Sequence, residues 1–220
     1  MKRRRNPNSP VKYEINTIFI HIPKTAGTSI HQVLSRTISD ELDSEISCEL
    51  RMKTNRYISK HIKAIELRSQ LGENLWDRTF KFTVVRNPWD LMVSCYNWWL
   101  QKAPLYKEIQ PQANEIRLLG SFRAFMLSDY GMYFINEHKG NMSEWFTEND
   151  QDIVDCIIRY EQLQHDLYKM FKVAGFSFTE SVPHLNSTNH VDYKLYYDSE
   201  TFKIVHERFR NIIERFDYTF

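Results

Sequence analysis

Two patterns alternate along the chain: short continuous apolar runs, and longer stretches with an apolar residue every three or four places. Residues 17–22, 80–85 and 153–160 are rich in β-branched and aromatic side chains, as expected of strands covered on both faces. Between them the period becomes helical. Ile30, Val33, Leu34 and Ile38 share one face over residues 29–39, and Ile62, Ile65, Leu67 and Leu71 predict a helix over 62–71 that Gly72 caps. Asn87 and Pro88 open another helix as cap and first-turn residue, and Ser121 caps a short one through Leu127. Residues 161–174 predict a helix stopped by Gly175. Phe202, Val205, Phe209, Ile212, Ile213 and Phe216 form the apolar stripe of a final helix capped by Asp198 or Ser199. Residues 40–50 read as a connection, Tyr57 and Ile58 as a short strand, 103–120 as a long loop, and 182–197 as an irregular loop. Strands alternating with helices predict an α/β sheet with right-handed crossovers. No repeat, low-complexity tract or linker divides the chain, so a single domain is expected.

Composition narrows the function more than the fold. The chain has 220 residues, 42% hydrophobic and 26% charged, with a net charge of +1, which argues against a dedicated nucleic-acid binder with a strongly basic face. Cys48, Cys95 and Cys156 are scattered and form no CxxC, which points to neither a disulfide framework nor a zinc site. No apolar run reaches membrane-spanning length. Lys2, Arg3, Arg4 and Arg5 precede a polar, proline-containing stretch rather than an apolar one, so residues 1–10 read as a basic flexible tail, not a signal peptide. Its second reading is contact with an anionic membrane surface. The chain reads as soluble and cytoplasmic.

The chemistry gathers in two segments where a strand passes through a loop into a helix. In the first, Pro23-Lys24-Thr25-Ala26-Gly27-Thr28-Ser29 follows a strand; in the second, Arg86-Asn87-Pro88 follows residues 80–85 and leads into a helix bearing Ser94. Ligands of open parallel sheets bind beyond the carboxyl ends of the strands. Two such loops predict two anion sites on one edge, in a P-loop-like parallel sheet flanked by helices on both faces. The first loop has the makings of a nest of backbone N–H groups at a helix N-terminus. It lacks the Walker order, in which Lys follows the last Gly. Arg86 stands where nucleotide hydrolases carry an acidic residue for magnesium, and a cation there attracts a phosphate instead. No Asp, Glu and His cluster at ligand spacing suggests a metal.

These two segments resemble the sulfotransferases. Residues 19–29 are similar to their 5′-phosphosulfate loop and residues 84–94 to their 3′-phosphate motif. The likeness extends to His61-Ile62-Lys63-Ala64, Pro183-His184-Leu185-Asn186 and the final Phe216-Asp217-Tyr218-Thr219-Phe220, placing residues 11–220 in one sulfotransferase domain. The carbohydrate-sulfotransferase branch and its bacterial relatives are the nearest in pattern. One position departs: relatives commonly carry Arg where this chain has Leu91.

The resemblance implies a donor, 3′-phosphoadenosine 5′-phosphosulfate, and metal-independent, in-line transfer of its sulfuryl group to an acceptor hydroxyl, on a carbohydrate or glycolipid. Lys24, Thr25, Ala26, Gly27, Thr28 and Ser29 would hold the 5′ end, with Lys24 neutralising the leaving oxygen. Arg86 and Ser94 would grip the 3′-phosphate, so that losing Arg86 would spare a ligand that lacks that phosphate. His61 is the first candidate for the base, because imidazole suits proton transfer near neutral pH. His184 is the second, with acceptor contact by His184 and Asn186 the other role for this loop. His21 reads as a core histidine orienting the first loop. Trp89, Tyr96, Trp98 and Trp99 lie on a helix apolar almost all round, which favours packing over sugar stacking. The alternatives are a kinase on a related fold, which would need magnesium, and a binding protein without chemistry, which would need neither Lys24 nor His61.

Overall fold

In the computed structural model of the chain, residues 17–37, 61–132, 141–173, 181–183 and 188–220 are described. The basic tail, residues 40–50, Tyr57 and Ile58, Gly175, and the His184 and Asn186 positions lie outside them. Strand β1 (Thr17–Ile20) leads through the first loop into helix α1 (Gly27–Thr37). Helices α2 (Ala64–Leu71) and α3 (Glu73–Asp77) precede strand β2 (Phe80–Val85), which feeds the long helix α4 (Pro88–Gln101). Helices α5 (Gln110–Leu118) and α6 (Phe122–Leu127) follow. After a two-residue hairpin of β3 (Thr147–Glu148) and β4 (Gln151–Asp152) come β5 (Cys156–Arg159) and α7 (Leu163–Val173). Helices α8 (Ser199–Arg208) and α9 (Arg210–Arg215) close the chain.

The three-stranded sheet is parallel, in the order β1-β2-β5, so β2 is central. Ile20 stands opposite Thr83, and Val85 opposite Arg159. Alternate residues of β2 face two separate clusters, as the period of a strand requires. Phe82 and Val84 pack with Ile30 and Val33 of α1 and with Leu167, Met170 and Phe171 of α7. Val85 joins Ile18, Ile20 and the apolar side of α4, together with Phe209 and Ile212. Trp89, Tyr96, Trp98 and Trp99 are all buried, so the aromatic residues of α4 serve as packing.

Several boundaries follow the sequence pattern. Gly72 takes φ 81° and donates to Arg68 O at 2.9 Å, ending α2. The Asn87 side chain accepts from Trp89 N with Pro88 in the first turn, and the Asp198 carboxylate accepts from Glu200 and Thr201 N–H groups. Others do not. Residues 103–120 are not a long loop: they hold a 3₁₀ turn (Ala103–Leu105) and α5, of which Ala113 and Ile116 are fully buried against the core. Two apolar contacts among Gln, Asn and Arg make too weak a stripe to register as helical. The final helix is broken at Phe209 (φ −108°, ψ 20°). Both halves keep the same apolar stripe, so the pattern runs through the break. The third strand is shorter than expected, because Tyr160 already begins a 3₁₀ turn. Asn149 and Asp150, both at positive φ, form the tight turn of the β3–β4 hairpin.

Candidate active site

The first loop begins where β1 ends. Lys24 (φ 64°) and Ala26 (φ 67°) are both left-handed, separated by Thr25, whose hydroxyl donates to Ile22 O at 2.8 Å. Non-glycine residues avoid this region at roughly 1–2 kcal/mol each. Alternating handedness turns successive N–H groups toward one point, the geometry of an anion nest. Helix α1 starts at Gly27, two residues earlier than its apolar pattern indicates, so Gly27, Thr28 and Ser29 form its first turn, which contains no acidic residue. The positive end of the helix therefore adds to the nest. Gly27 is required by contact: a Cβ there would lie 1.7 Å from Nε2 of His21. That imidazole cannot swing aside easily, since it stacks on Phe19 at 5.3 Å and meets the rings of His31 at 5.5 Å and His61 at 4.4 Å. His21 is the buried residue beneath the loop that the sequence suggested.

The second loop leaves β2 at Arg86, which is only 7% exposed. Its Nε donates to Asp90 Oδ2 at 2.8 Å, its NH2 lies 2.8 Å from the same oxygen, and Tyr160 covers the guanidinium at 4.1 Å. Its NH1 donates to the Lys24 carbonyl at 2.9 Å. This bond joins the two loops. Next to it, Asn87 N–H donates to Glu161 Oε1 at 2.6 Å, and the Asn87 amide donates to Thr219 O at 3.0 Å. The Tyr218 hydroxyl donates to the other Glu161 oxygen at 3.0 Å. The chain end thus packs on the second loop. Ser94 is buried one helical turn beyond Asp90, on the same face of α4. Leu91 is fully buried in the main core, so a charged side chain at this position would have to leave an apolar environment.

Electrostatics single out Lys24. Burial, together with the nearby charges of Arg86 and Lys102, lowers its ammonium from 10.5 to about 8. Cys95 is buried close enough to respond to the charge of Lys24, and burial pushes its thiol up to about 11. His61 lies beside the same loop, with Nδ1 3.1 Å from the carbonyl of His21. A carbonyl only accepts, so in neutral His61 Nδ1 carries the proton and Nε2 is the basic nitrogen. The structure thus gathers Lys24, the first turn of α1, Arg86 and His61 around the carboxyl ends of β1 and β2, with Ser94 on the adjoining helix. Asp90, Tyr160 and Glu161 escaped the sequence reading. Asp90, four residues after Arg86, was the one with a local signal; Tyr160 and Glu161 come from the 3₁₀ turn that follows β5, a distant segment.

Among the described residues no group of three or more His, Cys, Asp or Glu side chains could hold a metal ion. Nor, among them, is any helix long and apolar enough to cross a membrane. Comparison with curated proteins and with solved structures returns no match. The family model described as "Sulfotransferase family" matches residues 10–219, nearly the whole chain and both loops. On that match, and with the two loops meeting at one edge of the sheet, the chain belongs to the sulfotransferase family.

Proposed function

We propose that the protein transfers the sulfuryl group of 3′-phosphoadenosine 5′-phosphosulfate to a carbohydrate hydroxyl, without a metal, on a P-loop-like sheet with helices against both faces. The observation that carries the reading is the bond from Arg86 to the Lys24 carbonyl. It sets a guanidinium beside an anion nest that carries its own buried cation, as a donor with a 5′-phosphosulfate and a 3′-phosphate requires. The N–H groups of residues 26–29 hold the 5′-phosphate, and Arg86 and Ser94 take the 3′-phosphate. Nε2 of His61 accepts the acceptor's proton as the new O–S bond forms. The S–O bond to the 5′-phosphate breaks, Lys24 neutralises the charge growing on that oxygen, and adenosine 3′,5′-bisphosphate leaves. Positioning and charge stabilisation account for the catalysis.

The acceptor assignment rests on resemblance to the carbohydrate branch, with residues 182–197, including His184 and Asn186, as the segment that would shape a cleft. Helix α5 packs into the core, so residues 103–120 are not a deformable loop free to take that role. The test is an acceptor screen with mass-resolved donor, covering soluble oligosaccharides, glycolipid heads, phenols and amines. Sulfation of sugars supports the reading, and turnover of phenols or amines alone rejects the carbohydrate part. Phosphate transfer from ATP that needs magnesium would replace it with the kinase reading.

A further inference from the structure

Arg86 does more than its motif position implies. A guanidinium has five N–H donors. Here Nε donates to Asp90 Oδ2, NH2 lies 2.8 Å from the same oxygen, and NH1 donates to the Lys24 carbonyl. The guanidinium thus has donors beyond those committed to the protein, and a phosphate would take them. Lys24 sits at φ 64°, a backbone conformation unfavourable for a residue with a side chain. Its carbonyl is held from outside by Arg86, while Thr25, the next residue, is tied back to Ile22 O at 2.8 Å. The guanidinium is itself locked between Asp90 and the Tyr160 ring, 4.1 Å away. One rigid cation therefore spans both anion subsites.

We propose that Arg86 is a positioning residue for the 5′-phosphosulfate loop as well as a 3′-phosphate ligand, so that occupancy of the 3′-phosphate subsite organises the loop that carries Lys24. The proposal rests on the donor reading above and changes one consequence of it. The motif alone implies that Arg86 matters only to ligands with a 3′-phosphate. The bond to Lys24 O makes it matter to those without one. Coupling of this kind is reciprocal, so a ligand at either subsite strengthens binding at the other.

Two calorimetric titrations and one exchange measurement test this. Arg86→Lys keeps the charge but loses the fork, and one ammonium cannot take over the contacts to Asp90, Lys24 O and a phosphate at once. Its affinity for adenosine 5′-phosphosulfate, which lacks the 3′-phosphate, should fall roughly tenfold, as for loss of a charged hydrogen bond. Its affinity for adenosine 3′,5′-bisphosphate should fall further. An unchanged affinity for the 5′-phosphosulfate beside a large loss for the bisphosphate overturns the proposal and leaves the donor reading standing. The wild-type protein supplies the second arm, which does not depend on the variant folding. Adenosine 3′-phosphate, which brings nothing for the first loop, should slow amide hydrogen exchange over residues 24–28 at saturation. Unaltered exchange there overturns the coupling. A wild-type protein that binds none of these nucleotides rejects the donor reading, and the proposal with it.

Discussion

The buried ammonium of Lys24 gives a prediction with a magnitude. With its pKa lowered from 10.5 to about 8 by burial and by the Arg86 and Lys102 charges, the group is cationic in only about a quarter of unliganded molecules at pH 8.5. A bound 5′-phosphate brings opposite charge against it, and such contacts raise a pKa by about 1–3 units. Binding of adenosine 3′,5′-bisphosphate at pH 8.5 should therefore take up roughly 0.7 proton per site from buffer. Titration calorimetry in buffers of different ionisation enthalpy reads that number directly and needs no acceptor. At pH 6.5 Lys24 is already charged, so its share of the uptake should vanish. Lys24→Arg, whose guanidinium does not titrate in this range, should abolish the uptake at pH 8.5. In turnover the same group appears as an alkaline limb. The donor kcat/KM should fall about tenfold between pH 7 and 9, while kcat, which reports the liganded enzyme, should hold to higher pH. No proton uptake at pH 8.5, or equal uptake in Lys24→Arg, would refute the assignment of the buried cation to the donor's 5′ end.

The other predictions use separate readouts. His61→Ala should slow transfer by roughly 10²–10⁴ while leaving bisphosphate affinity unchanged; normal turnover would move the base to His184. Lys24→Met should raise stability to urea at pH 7 by about 1–3 kcal/mol, because a lysine whose folded pKa lies below its unfolded value destabilises the fold until pH passes about 8 and is progressively relieved up to 10.5. A less stable variant would mean that the ammonium is not held in an unfavourable site. Gly27→Ala should cost about 1–3 kcal/mol by driving a methyl into the His21 ring. His21→Ala in the same chain should restore part of that loss, and strict additivity of the two changes would show that they do not touch.

Much of this site was legible because its chemistry is local. Lys24, the small residues around Gly27, Arg86 and the Asn87-Pro88 cap lie within two short segments; the second segment's helix start follows from its cap, whereas the left-handed Lys24 and Ala26 and the earlier start of α1 did not show in the pattern. The pattern erred where burial was carried by few residues. Ala113 and Ile116 seat α5 on the core with little amphipathic signal, and Phe209 interrupts a stripe that stays in phase on both sides. Leu91 shows a different limit. Its departure from the usual Arg was visible, but only the packed structure shows that the position faces the main core.

What the chain could not disclose locally is how the loops meet. Arg86 and Lys24 meet because β1 and β2 are adjacent and parallel, with Ile20 opposite Thr83. The Thr83 hydroxyl, donating to Ile20 O at 2.8 Å, adds a side-chain tie to that pairing. A one-residue slip would turn every β2 side chain to the other face, carrying Phe82 and Val84 out of the cluster of α1 and α7. The same slip would move Arg86 by about 3.3 Å along the strand, beyond reach of the Lys24 carbonyl. The core contacts that make the register costly to change are therefore the ones that set the distance between the two loops. If the two loops hold the proposed donor, relaxing Phe82 or Val84 should loosen nucleotide binding from beneath the sheet, although both side chains pack only into the cluster with α1 and α7.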